Sequence, residues 1–190
     1  IIFINRFMTH FGTNYVASFG IVSRLESVAT MPVVAFALST VTLVGMFHGA
    51  KRYDLLREIS WYGLKIGILF TSLIGLIFLA IPTIFLKIFT TDPELLRIGA
   101  AYLRIDIITF PLMTINIVVS RITQGMGYGM PGFIINLVRT MIVAVPLAYI
   151  FVYIFDYGYL SVAVAMVIGG IAASIVSIIW LNSKLKHLEN

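Results

Sequence analysis

An all-α, polytopic membrane bundle of about six helices, the first truncated, is the fold class the sequence predicts, on three observations. The chain of 190 residues is 60% hydrophobic and only 11% charged, with a mean hydropathy of +1.04. That is far more apolar than a water-soluble domain of this length. Apolar runs near the roughly 20 residues needed to cross hydrocarbon recur along it. Charged residues and turn formers punctuate those runs and leave no room for a soluble domain, so residues 1–190 read as a single transmembrane unit.

The elements follow in order. IIFIN, Ile1 to Asn5, reads as the last turns of a helix whose start lies upstream, a stump ending near Phe7, with FGTN, Phe11 to Asn14, as the turn after it. The second helix runs from about Tyr15 to His48, and its charge-free core, Val28 to Phe47, is long enough to cross. Lys65 and Lys87 bracket the third, an apolar run from Ile66 to Leu86. After TTDP, Thr90 to Pro93, a fourth helix extends from about Glu94 to Ile122, with Thr91 or Asp92 placed to cap it and Pro93 in its first turn. QGMGYGMPG, Gln124 to Gly132, breaks the chain before a fifth helix that reaches Phe155. DYG, Asp156 to Gly158, then turns into a sixth, from about Leu160 to Leu185. Pro32, Pro82, Pro111 and Pro146 are expected to interrupt four of these helices, and Gly169 and Gly170 to mark close helix packing.

The net charge of +5 is carried mostly beside the spans. GAKRYDLLR, Gly49 to Arg57, Arg121, and the tail with Lys184 and Lys186 share one side, which the positive-inside rule makes cytoplasmic. The C-terminus is therefore expected in the cytoplasm of a cell-membrane protein. Basic residues at the bilayer edge serve topology, so no nucleic-acid partner is expected; membrane lipid is. There is no cysteine, which excludes disulfides and thiolate metal sites, and His10, His48 and His187 lack metal-ligand spacing. Without a nucleophile beside a base, a phosphate-cradling loop, or paired acids on one helix face, no enzyme is indicated.

The remaining charges are the informative ones. Centring the second helix on Glu26 would bury Arg24 and Glu26 at about +2.5 to +3.5 kcal/mol each, so both are expected at its outer lip, as snorkelling or cleft-lining residues. Two residues apart on a helix, they point away from one another. YLRIDIITFP, Tyr102 to Pro111, repeats the arrangement with Arg104, Asp106 and Pro111. Between Asp106 and Arg121 the 14 residues Ile107 to Ser120 span about 21 Å against a core of about 30 Å, so one charge must lie within hydrocarbon depth. Arginine snorkels and aspartate cannot, which leaves Asp106 facing a water-filled cavity. On a regular helix Asp106, Thr109, Met113, Asn116, Ser120 and Gln124 share one face. That stripe is either a hydrogen-bonded seam between helices or a substrate or ion path. Arg139, toward the start of the fifth helix, leaves Thr140 to Phe155 as a clean span of about 24 Å and is expected to snorkel to the inner interface.

Several of these pieces together resemble the MATE family of multidrug and toxin extrusion transporters. They are SRLESVATMP in the second helix; VGMFHGAKRYD, Val44 to Asp54, similar to a VGQ-x-x-GA segment with Met46 where glutamine is usual; FTTDPELLRIGAAYLRI, Phe89 to Ile105; and QGMGYGMP, Gln124 to Pro131, similar to an Arg-Gly-x-Gly turn. The resemblance implies one six-helix lobe, the second, of a twelve-helix antiporter whose first lobe lies outside this chain. Such a protein exchanges cationic or amphipathic compounds for Na+ or H+ across a central cavity and needs no cofactor beyond that coupling ion. Met113 and Thr114 occupy the neighbourhood where the NorM-like branch carries an acid. The chain thus looks closer to the DinF-like and archaeal branch, where the coupling carboxylate lies in the first lobe and Glu26 and Asp106 become cleft residues. On this reading Glu26, Asp106, Met113, Asn116, Ser120 and Gln124 line the substrate pathway, with Arg24, Met31 and Arg104 in a secondary cleft. Two alternatives stay open: a lipid-linked oligosaccharide flippase of the related superfamily, which would converge Arg24, Arg104, Arg121 and Arg139 on the cavity to meet pyrophosphate, and a half-transporter inactive alone.

Overall fold

The computed structural model describes residues 2–189, and all regular structure among them is helical. Helix α1 is Ile2–Phe11 and α2 is Thr13–Gly49, joined only by Gly12. At φ +122° Gly12 takes a backbone conformation L side chains rarely adopt, so the expected four-residue turn contracts to one residue. Helix α2, at 37 residues, passes through Pro32 without a break. The ring removes one backbone donor, the one that would have bonded the Val28 carbonyl, and the remaining turns hold the helix together.

Helix α3, Tyr53–Ala80, ends before the expected Leu86. Pro82 cannot continue it and instead opens the five-residue α4, Pro82–Leu86. Small residues at helical spacing, Gly63, Gly67, Thr71 and Gly75, are buried along α3, while Leu69, Leu73 and Leu76 are exposed. The stripe lets α3 lie tightly against its neighbours: a Cβ on Gly67 would stand 2.8 Å from Thr114 Cγ2.

The fourth expected helix is two. Helix α5, Pro93–Asp106, starts on an Asp92 cap whose Oδ1 accepts from the Glu94 and Leu95 amides at 2.8 and 3.4 Å, and α6 is Thr109–Gly125. They meet at a bend of 53°. The cause is Pro111, which has no amide to give the Ile107 carbonyl and crowds it sterically. Phe110 N bonds that carbonyl instead, at 3.1 Å, and Ile108 N reaches Ile105 O at 3.2 Å, so the backbone tightens at the bend.

Helix α7 occupies Met130–Ile154 after a turn through Gly127 at φ +89°. It contains two π-helical stretches, Val138–Ala144 and Ile150–Ile154, flanking the short α segment Val145–Tyr149 that holds Pro146. Helix α8, Leu160–Glu189, closes the bundle. Its Gly169 and Gly170 do pack closely, as expected; a Cβ on Gly169 would lie 2.6 Å from the Arg139 carbonyl oxygen of α7. Helices α2, α3, α7 and α8 are each long and apolar enough to cross a membrane, and the bent α5–α6 pair is so when its two parts are taken together.

Candidate functional site

The site grows from residues on α2, α5, α6 and α7. On α2, Ser23, Glu26, Ser27 and Thr30 recur at helical spacing and line one open cavity. The Ser27 and Thr30 hydroxyls donate to backbone oxygens of α2 itself, at 2.8 Å to Ser23 O and 3.0 Å to Glu26 O, which leaves Glu26 as the reactive group of this face. On α5, Asp106 is 4% exposed and sits at the last residue before the bend. The bend frees its carbonyl, which accepts from Thr109 Oγ1 at 2.6 Å, and the same hydroxyl lies 3.3 Å from Asp106 Oδ1. A broken helix thus supplies local partners for a carboxylate that an unbroken one would leave bare.

Helix α6 contributes Met113, Asn116, Ser120 and Arg121, and α7 contributes Asn136, Arg139 and Thr140. Together with Tyr102, Glu26 and Asp106 they line a cavity of about 470 Å³. Asn116 combines the two roles expected of the polar stripe. Its Oδ1 accepts from Ser177 Oγ of α8 at 2.8 Å, a seam bond, while its Nδ2 is buried without a protein partner. The seam continues with Ser174 Oγ to Leu112 O at 3.2 Å and Thr114 Oγ1 to Thr71 Oγ1 at 3.0 Å.

Of the nine residues expected on the pathway or cleft, Glu26, Asp106, Met113, Asn116 and Ser120 come together on this cavity. Gln124 does not; it is exposed, and its Oε1 accepts from Arg121 NH1 at 2.8 Å. Thr109 faces its own bend because the 53° angle ends the single straight face assumed from sequence. Arg24, Met31 and Arg104 are exposed outside the cavity. Glu26 and Arg24 divide, the acid toward the cavity and the base outward, as expected of residues two apart on a helix.

Arg139 lines the cavity as well, a position the sequence reading did not assign to it, and Glu26 and Asp106 both act on it electrostatically there. Among the described residues neither carboxylate stands within ion-pair distance of it, and its Nε is buried without a protein partner. The π-helical turn that begins at Val138 and the close approach of Gly169 set its position. The signal available in the sequence was Asn136, Arg139 and Thr140 at i, i+3 and i+4, one polar face on an otherwise apolar helix.

An apolar helical lobe enclosing carboxylates and guanidinium groups at depth defines a membrane protein of the transporter class. The MatE family model matches residues 2–150, and the chain belongs to that family. It is 24% identical over 160 residues to a probable multidrug resistance protein NorM of Thermotoga maritima, covering 84% of this chain and 34% of that protein. An uncharacterized transporter of Saccharomyces cerevisiae is 28% identical over 173 residues, 87% of this chain and 24% of its own length. Among solved structures, an outward-facing multidrug resistance MATE family transporter of the MOP superfamily superimposes with a TM-score of 0.90 at 25% identity, over 99% of this chain and 42% of that one. A MOP superfamily transporter from Pyrococcus furiosus shares the fold at a TM-score of 0.94 and 24% identity, over 100% of this chain and 43% of that one. The chain therefore spans about a third and about a quarter of the length of those two curated relatives and under half of the solved ones.

Proposed function

We propose that this lobe forms one wall of the central cavity of a secondary multidrug antiporter, which exports cationic or amphipathic compounds in exchange for Na+ or H+. The observation that carries the reading is the placement of two carboxylates, buried Asp106 and half-buried Glu26, on the wall of one cavity in an apolar bundle. A carboxylate in such a place is costly when uncompensated, and a bound cation or proton relieves the cost. Competition between a compound's cationic group and the coupling ion for the same carboxylates then gives exchange. Met113 and Met166 supply an adaptable apolar surface for compounds of differing shape. The other half of the cavity comes from a preceding lobe, and the basic side with Lys51, Arg52 and Lys184 faces the cytoplasm, as does the C-terminus.

Reconstitution in proteoliposomes tests this reading. The chain alone, and joined to a preceding lobe, is assayed for efflux of a fluorescent cationic dye under imposed Na+ and H+ gradients. Gradient-driven efflux is expected only with both lobes, and Asp106→Asn is expected to lower it by about tenfold or more, the loss of one charge-assisted contact. Efflux from the short chain alone would contradict the two-lobe arrangement. Efflux indifferent to either gradient would contradict exchange.

The second reading, a flippase for lipid-linked oligosaccharides, is favoured by Arg121 and Arg139 on the cavity wall. Arg24 and Arg104 are exposed elsewhere, and two buried carboxylates would meet pyrophosphate with repulsion, so the antiporter reading accounts for more of the wall.

A further inference from the structure

A second cavity opens between α1 and the latter part of α7 and shares no residue with the polar one. Phe3, Arg6 and Phe7 recur at helical spacing along α1, and residues 145–154 of α7 supply the other wall. At about 820 Å³ it is an open groove, apolar and aromatic apart from a single charge, the guanidinium of Arg6. Among the described residues no acid lines it, and Arg6 is exposed without an ion-pair partner.

Length, depth and charge together say what fills it. From residue 145 to residue 154 the wall runs about 14 Å along the helix, close to half of a hydrocarbon core of about 30 Å and so to the acyl layer of one leaflet. The groove closes where α7 and α1 end, at Ile154 and Phe11, on the side of the bundle away from Lys51, Arg52 and Lys184. Tyr149 and Tyr153, their rings 5.1 Å apart, stand exposed near that end, as tyrosines do at a membrane interface. Tyr153 also meets Phe7 at 6.0 Å and His10 at 5.2 Å. Arg6 is five residues before the end of α1. That is about 8 Å along the helix, a depth from which an arginine reaches the headgroup layer while its stem stays on apolar surface.

We propose that this groove binds an anionic phospholipid, one acyl chain lying along α7 over Ile150 and the phosphate resting on Arg6. A small soluble anion would leave the apolar wall uncovered. A neutral acyl chain would leave Arg6 without a counter-charge, and a zwitterionic lipid would bring a cation that meets no acid in the groove. An anionic lipid answers both the charge and the wall. Seated there, it joins α1, which is tied to α2 through Gly12 alone, to the helix that carries Arg139.

Photolabelling tests this. The intact protein that carries this lobe is reconstituted in phosphatidylcholine vesicles containing a minor fraction of phosphatidylglycerol with a diazirine on its acyl chain, and labelled sites are mapped by peptide mass spectrometry. Labelling is expected to concentrate on residues 145–154, above that around the exposed Leu69, Leu73 and Leu76 of α3. Unlabelled phosphatidylglycerol should displace it, and added phosphatidylcholine or inorganic phosphate should not. Arg6→Gln should lower the yield in the groove about fivefold, the worth of one basic residue toward an anionic lipid, and Arg6→Lys should keep most of it. Ile150→Trp, which fills the acyl channel and leaves Arg6 in place, should lower the yield in the groove and leave that on α3 unchanged. Equal labelling of α3 and α7 overturns the site and leaves an ordinary lipid boundary. Labelling of α3 with none on α7 means that another part of the protein covers the groove, and overturns it equally. Displacement by inorganic phosphate or by phosphatidylcholine, or a yield indifferent to Arg6→Gln, overturns the match of Arg6 to an anionic lipid.

Discussion

Helix α3 buries a stripe of small residues and shows leucines outward, whereas α7 turns Asn136, Arg139 and Thr140 into the cavity through a stretch of π-helix. Both cross the same apolar bundle. In α3 the helix is regular and the chemistry is plain: Gly63, Gly67, Thr71 and Gly75 let backbones approach, and lipid is as good a solvent as protein for the opposite face. In α7 the backbone itself is adapted. The π segment and the Gly169 contact accompany a guanidinium on the cavity wall, a position that counting residues to the nearest interface did not give it. The difference separates two kinds of membrane helix: one is placed by its packing stripe, the other by departures from the ideal helix that serve a polar site.

Substitutions sharpen that contrast, and the largest effect is expected at the adapted backbone. At Gly169 an added Cβ would meet the Arg139 carbonyl at 2.6 Å, a backbone atom that cannot turn aside. Gly169→Ala should cost about 3 kcal/mol, at the upper end of overpacking penalties, read as a fall in the Tm of the detergent-solubilised protein. The contact of Gly67 is with a methyl group of Thr114, which has some freedom to move. Gly67→Val should cost about 2 kcal/mol by the same measurement, and dye binding in the surviving folded fraction should be unchanged. The smallest effect belongs to the seam. Thr71→Val removes the 3.0 Å bond from Thr114, whose hydroxyl is also 3.0 Å from Phe110 O, and should cost about 0.6 kcal/mol. A loss at Thr71 as large as that at Gly169 would break the distinction.

How much of this was legible in the sequence follows the same line. The spans, the Asp92 cap, the interior position of Asp106 and the family all follow from apolar length, turn chemistry, the short distance from Asp106 to Arg121, and the order of local segments. What failed did so where backbone geometry departs from a straight α-helix. Pro111 bends the fourth helix, so Thr109 serves the bend, and Gln124, in the last turn of α6, is exposed beyond the cavity and accepts from Arg121. Pro32 breaks nothing, because one missing donor in 37 residues is tolerated. Arg139 was assigned by counting residues to the nearest interface, a count that does not say which way around the helix it faces. Glu26 was expected on the pathway, and it lines the cavity.

The central claim is that α2, α6 and α7 turn polar residues toward a water-accessible cavity while the outer face of α3 meets lipid. The chain has no cysteine, so single cysteines can be introduced without a background. Ser23→Cys, Ser120→Cys and Asn136→Cys, compared with Leu69→Cys, Leu73→Cys and Leu76→Cys, are exposed in lipid vesicles to a charged, membrane-impermeant thiol reagent applied from both sides. The account predicts rapid labelling of the first three and protection of the second three. Protection of Ser23, Ser120 and Asn136 together, or equal labelling of both sets, would contradict it.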